Sequence, residues 1–512
     1  MLTLGHRSAP PSPERLESPR KAPVTRLKLP DVRVSRPMRV RWPRPALTHR
    51  SAWKALCYPD FRLYFIGSLT SNLGTWMQTT AQVILVYRLT HSVFAVGFVT
   101  SAQFAPSLFL GPWATALVAS RFGGKWMLIA IQAASACIAG LLTLLVATNS
   151  LTETGLAAGA LATGLLFTFA LPVQTAMVPR LVPDSQRDTE AAMAMNSVSY
   201  NSGRALAPIL SVVVIATIGF KWAFAFNAMS FVIFAITLWF VRARDAGQTA
   251  QRASITDGYR AAVDKPRILL LLAIVAAVTF ADDPVLILGP ALAGQLHASN
   301  SWPGYFLSAL GLGTVIGSLR PARASGNWQD SWPANRMAAW LLPLPTRDAT
   351  HREESWNSRR AAAWLLVLSA CVITFALGIG TWVSLAAAFA AGFAALNTGA
   401  VTQTQLARLR PGYAAGVMAL WAVCWAGTKP LASLADGWLA SHTHWLWFPA
   451  VVLNLFALIL VLAEFCLPAA LRERFRERFR ERLKHMLPAT SAVPNRETPP
   501  QQAQDDRQCA PA

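Results

Sequence analysis

Two cations stand where hydrocarbon is expected, and each follows the same short word. Met193-Ala194-Met195 precedes Arg204, and Met418-Ala419-Leu420 precedes Lys429 at the same spacing. Both fall near the middle of long apolar stretches. A lone cation at mid-bilayer costs about 2.5–3.5 kcal/mol on insertion scales, so such a residue faces a cavity or a partner. Its recurrence points to a duplicated half with a polar path at the seam. A second signal is the pair Asp282-Asp283, set between Thr279-Phe280-Ala281 and Pro284-Val285-Leu286. Acids held inside a membrane can take a proton on one side and release it on the other. A structural alternative exists: Pro284 breaks a helix, and Asp283 caps the half that follows. Arg204 either pairs with such an acid, attracts an anionic substrate group, or ties down helix carbonyls. Lys429 precedes Pro430, whose kink frees carbonyls that an ammonium can satisfy.

Neutral polar side chains accompany these charges. Gln78, Gln82, Gln103 and Gln403 lie within apolar stretches, and Asn196, Tyr200 and Asn201 lead up to Arg204. Each is a candidate cavity ligand, with an interhelical hydrogen bond as the alternative. Trp76, Trp421 and Trp425 offer flat apolar faces to an aromatic or cationic ligand. Tryptophan also gathers at membrane interfaces, which accounts for most of the chain's 19. Gly111, Gly203, Gly311, Gly313 and Gly317 allow helices to approach closely.

The elements that hold these residues must be membrane helices. The 512 residues are 54% hydrophobic and only 14% charged, a composition foreign to soluble domains. Apolar runs near the length of a bilayer crossing fall at about 63–86, 93–119, 126–148, 153–177, 189–217 and 222–241, then 268–293, 302–319, 361–379, 382–405, 413–438 and 445–466. The expected fold is all-α, twelve transmembrane helices in two six-helix pseudo-repeat bundles (57–241 and 268–466), joined by a central loop at 242–267. The net charge of +21 gathers in the termini and in alternate connections, which argues against nucleic-acid binding. Arg88 and Lys221 alone fall on the opposite side. Both termini are therefore expected in the cytoplasm of a multi-pass inner- or plasma-membrane protein. The six cysteines show no metal or disulfide spacing and are expected as small buried apolar residues.

Residues 1–56 are rich in Pro, Arg and Ser, lack the apolar core of a signal peptide, and are expected as a disordered basic tail. The long loop at 320–360 carries a tandem echo, Asp330-Ser331-Trp332 with Arg336 and Trp340, repeated as Glu354-Ser355-Trp356 with Arg360 and Trp364. Near the end, Leu471, Phe475, Phe479 and Leu483 recur every fourth residue among arginines. That pattern over 467–487 is an amphipathic helix suited to an anionic inner leaflet, followed by a disordered tail at 488–512.

Longer motifs carry a resemblance. Asn72-Leu73-Gly74-Thr75-Trp76-Met77-Gln78, Gln103-Phe104-Ala105-Pro106, Asn196-Ser197-Val198-Ser199-Tyr200-Asn201 and Gly416-Val417-Met418-Ala419-Leu420-Trp421 occur in order across both halves. Together they resemble the major facilitator superfamily, and its drug:proton antiporter-3 branch in particular. The resemblance implies alternating access and export of a small amphiphilic molecule in exchange for protons. A monomer without cofactor or metal is expected. The resemblance also implies a gating loop at Ser120, Arg121, Gly123 and Lys125. There the chain departs from the pattern, because Ser120 replaces an acid and cannot supply a carboxylate. That departure keeps an uncoupled facilitator in play, and the long loop and basic tails keep a non-transporting scaffold or sensor in play. No phosphate-binding loop and no catalytic constellation stands out, so no enzyme is expected.

Overall fold

The computed structural model describes residues 53–118, 124–183, 185–243, 266–299, 301–318, 349–407, 417, 420–421, 423–443 and 445–466, some of them by backbone alone. Twelve helices follow in order. They are α1 (Pro59–Thr90), α2 (Val93–Val118), α3 (Lys125–Ala147), α4 (Glu153–Met177), α5 (Gln186–Thr217) and α6 (Phe220–Phe240), then α7 (Pro266–Gln295), α8 (Trp302–Ser318), α9 (Ala349–Ala376), α10 (Thr381–Ala407), α11 (Lys429–His442) and α12 (Trp447–Cys466). No strand occurs among the described residues. The fold is that of a polytopic membrane protein, as the apolar spacing indicates. A 3-10 turn at Trp53–Cys57 buries Ala55 within the stretch expected as tail; residues 1–52 and 244–265 lie outside the described residues. The expected helix at 467–487, the first copy of the echo and the tail at 488–512 lie outside the described residues. The second copy runs helically into the ninth span.

Seven of these helices are long and apolar enough to cross a bilayer. Helix α1 is the instructive exception. It carries Ser68, Ser71, Gln78, Thr79, Thr80 and Gln82, all buried. Its polar face turns inward, where Ser68 and Gln78 meet Ser199 and Asn227 of neighbouring helices and Thr79 and Thr80 donate to carbonyls of their own helix, so its low apolarity marks a central position. The outward faces are the apolar ones: Trp113 is 74% exposed and Trp382 is 73% exposed. A bilayer covers such surface. Among the described cysteines, Cys57 and Cys137 are exposed, contrary to the expectation of burial, and Cys371 and Cys424 are half-buried.

The halves repeat one packing scheme. In the first, α1 packs on α5 and α6, α2 on α4, and α3 on α6; in the second, α7 packs on α11 and α12, α8 on α10, and α9 on α12. Two symmetry-related contacts join the halves, α2 with α11 and α5 with α8. Glycine permits both. A side chain at Gly97 would collide with the Ser433 carbonyl and the Gly437 backbone, and one at Gly311 with the Arg204 carbonyl.

The two ends of the molecule differ. At the end opposite the termini, connections are short: 91–92, 148–152, 218–219, 296–301, 377–380 and 443–446. There a single apolar core crosses between halves, joining Val83, Val86, Val96, Val99 and Leu156 to Leu288, Leu292 and Ala440. Toward the terminal end the cores are separate. One belongs to the first half (Phe61, Leu128, Met177, Leu238) and another to the second (Ile268, Leu272, Leu406, Leu420). The halves are thus sealed together at the far end and hold separate cores at the terminal end.

Candidate functional site

The chemistry collects midway along α7, where α5 and α11 approach it. Helix α7 continues from Pro266 to Gln295 through Pro284, so Asp283 caps no helix terminus. Chain neighbours on a helix point about 100° apart, which lets Asp282 and Asp283 face different partners. The Arg204 Nη2 donates to Asp282 Oδ2 at 3.0 Å. The Lys429 Nζ donates to Asp283 Oδ1 at 2.6 Å, and the Ser433 hydroxyl donates to Asp283 Oδ2 at 2.6 Å. The two repeated cations therefore converge on two adjacent acids. Arg204 takes an acid partner rather than helix carbonyls. Lys429 does the same, which corrects the expectation that it serves carbonyls freed at Pro430. Its helix is instead broken at Thr428, with Pro430 in the first turn of α11, where a missing N–H costs nothing.

The pairs differ in what they connect. Arg204 belongs to the first half and Asp282 to the second, so their bridge spans the seam. Lys429 and Asp283 both belong to the second half. Each cation also rests against an aromatic ring of the first half. Arg204 lies 5.8 Å from the Trp76 ring centre, and Lys429 lies 5.5 Å from that of Phe104. Rings continue from there: Trp76 meets Tyr200 edge-on at 6.0 Å, Tyr200 meets Trp425 at 6.1 Å, and Trp425 lies parallel to Trp421 at 6.3 Å. The indole N–H of Trp421 is buried and has no partner. An aromatic ladder thus crosses the seam beside the charges.

The neutral candidates divide. Gln78 is buried and accepts from Asn227 Nδ2 at 2.7 Å, a tie between α1 and α6. Gln103 Nε2 donates to the Thr79 hydroxyl at 3.4 Å, joining α2 to α1. Asn196 Oδ1 accepts from the Tyr64 hydroxyl at 3.4 Å, and Asn201 Nδ2 donates to the Ser197 carbonyl of its own helix. Gln82 is buried with its Nε2 unpartnered, and Gln403 is exposed near the end of α10. Of the expected gating loop, Ser120, Arg121 and Gly123 lie outside the described residues. Lys125 Nζ donates to the carbonyls of Trp239 at 2.7 Å and Val241 at 2.8 Å, where it caps the end of α6.

One acid escaped the sequence reading. Asp436 is completely buried on α11, and neither carboxylate oxygen has a hydrogen-bond partner. It follows Lys429 by seven residues and Ser433 by three, so all three share one face. The signal was present, since Asp436 is the one acid in the eleventh apolar stretch. An apolar recess of about 590 Å3 between α9 and α10, lined by Cys371, Trp382 and Ala387 among others, holds no charged residue and stands apart from this cluster.

Comparison with solved structures gives the fold. A bacterial homologue of the human lysosomal transporter Spinster, inward-facing and unoccupied, aligns at TM-score 0.55 and 14% identity, covering 80% of this chain and 96% of that one. The nucleoside transporter NupG aligns at TM-score 0.57 and 12% identity, covering 79% of this chain and 98% of that one. Comparison with curated proteins finds no match. The sequence pattern of the transmembrane secretion effector family matches residues 50–486. With that match across nearly all of the helical region, the chain belongs to the transmembrane secretion effector family, transporters of the major facilitator superfamily.

Proposed function

We propose that this protein is a secondary active exporter that moves a small amphiphilic molecule by alternating access and takes up protons in return. This is the activity of the drug:proton antiporter-3 branch that its motifs resemble. The observation that carries the reading is the bridge from Arg204 to Asp282 across the seam, with Lys429 and Asp283 beside it. Ion pairs inside a membrane are costly and are kept where they move ions or substrate. Protonation of an α7 aspartate dismisses its cation, which weakens one orientation of the halves against the other. The aromatic ladder from Trp76 to Trp421 provides stacking surface for a flat substrate, and Arg204 provides attraction for an anionic group on it. With both termini in the cytoplasm, the sealed far end faces outward and the separated cores face inward. The chain then stands ready to take substrate from the cell.

The test uses proteoliposomes with an imposed pH gradient and two fluorescent probes, rhodamine 6G and carboxyfluorescein. Gradient-driven movement of either probe is expected, with loss in Asp283→Asn while probe binding remains. Movement that is unchanged when the gradient is collapsed overturns proton coupling and favours a facilitator. Absence of movement for both probes, and for a panel of siderophores and drugs, overturns export.

A further inference from the structure

We propose that Asp436 is a proton-binding site, occupied by a proton in this conformation and exchanging it with Asp283 under the far-end seal. The inference rests on the proton-coupled reading above and gives the proton a resting place outside the α7 ion pairs.

Charge counting comes first. The buried cluster holds three carboxylates, Asp282, Asp283 and Asp436, against two cations, Arg204 and Lys429. Both cations are committed to the α7 acids, and the Ser433 hydroxyl is committed too. Asp436 is left with nothing to donate to either oxygen. A bare carboxylate in such a place is not sustained; one proton makes it neutral and balances the cluster. The neighbours supply no alternative. On α7 the charged groups acting on it are Asp282 and Asp283, and on α11 Lys429. Helix α2, which packs on α11, has no titratable residue, and α12 has none from Trp447 to Ala463.

Position comes second. At 1.5 Å per residue, Asp436 stands about 10 Å beyond Lys429 along α11, toward the far end. Gly437, the next residue, makes the close contact with Gly97 and Phe94 that joins α11 to α2. Asp436 is thus roofed by the seal between the halves. When α2 and α11 part, it is the first ionisable group on that face of α11 to meet water. Ser433 lies three residues before Asp436 on the same face and donates to Asp283 at 2.6 Å; it makes no hydrogen bond to Asp436 here, so exchange requires the Asp436 carboxyl to turn toward it. Exchange is balanced: Ser433 passes its hydroxyl proton to Asp283 and receives the proton of Asp436. One carboxyl becomes carboxylate, the other the reverse, and the Lys429 ammonium follows the negative charge.

The experiment is infrared difference spectroscopy on the full chain in liposomes, with exchange from H2O to D2O and with sodium present or withdrawn. The wild type is expected to show the carbonyl band of a protonated, buried carboxyl at neutral pH. Asp436→Asn should lose it, Asp436→Glu should move it, and Asp282→Asn should retain it. Absence of the band in the wild type overturns the proposal, as does its persistence in Asp436→Asn. A band that emerges only when sodium is withdrawn overturns it in favour of a metal cation on the same carboxylate. The readout needs no substrate, so it is separate from the export test. A band lost in Asp436→Asn alongside gradient-independent transport keeps the proton site and rejects the coupling.

Discussion

Arg204 and Lys429 hold equivalent places in the two halves, yet their acids are neighbours on one helix. Removing either member of a pair leaves the other charge buried, whereas removing both leaves none. Arg204→Gln and Asp282→Asn are each expected to destabilise the protein by about 1–3 kcal/mol, and the double variant by less than their sum. Thermal melting of the three purified variants checks this; additive losses would mean that the bridge contributes nothing. The ionisable residues were legible because charge stands out in apolar stretches. Their partners were not, because pairing depends on how α5 and α11 rotate toward α7, and no local spacing encodes that rotation. The neutral candidates show the same limit. Gln78 and Asn196 are polar within apolar runs, as a ligand would be, but the structure satisfies them by Asn227 and Tyr64. Asp436 gives the same signal as Asp282, an acid within an apolar stretch, but lies outside both the repeated words and the acidic pair.

At the scale of helices, the boundaries followed from runs of apolar residues, which report only that a segment is shielded from water. They say less about what shields it. Helix α1 looks weakly apolar because other helices, not lipid, surround it. The eleventh span looked continuous but bends at Thr428, and that bend aims Lys429 at Asp283. The α2–α11 contact between halves depends on Gly97, which has no room for a side chain. Gly97→Val should wedge α2 from α11 and shift the closed far end toward opening. An overpacking cost of about 1–3 kcal/mol corresponds to roughly 5–150-fold in that equilibrium. The measure is labelling of Leu292→Cys from the far side in a cysteine-free background, which should quicken; an unchanged rate would show that this contact does not set the seal.

Across the whole molecule, charge asymmetry supports the orientation proposed above. The far-end turns carry almost no Lys or Arg, while the terminal-end connections are rich in both. Alkaline phosphatase inserted at Asn149 should be active outside the cytoplasm, and a green fluorescent protein fused after Ala512 should fluoresce inside it. The opposite pattern would reverse the direction proposed for transport. The duplicated architecture was legible from the matching words around Arg204 and Lys429, since a repeat of sequence is a repeat of packing. The present conformation was not, because it depends on which end the halves share a core, and either choice satisfies the same apolar pattern.

The two repeated cations look alike in the chain but would have different fates in the proposed cycle. Lys429 and Asp283 ride together as passengers of one rigid half, so rocking alone leaves their union intact. Arg204 and Asp282 are tethered to opposite halves, and any rocking strains that link alone. The proposed cycle is therefore lopsided: one tether would register motion, the other protons, and their acids, adjacent on α7, would join the two reports.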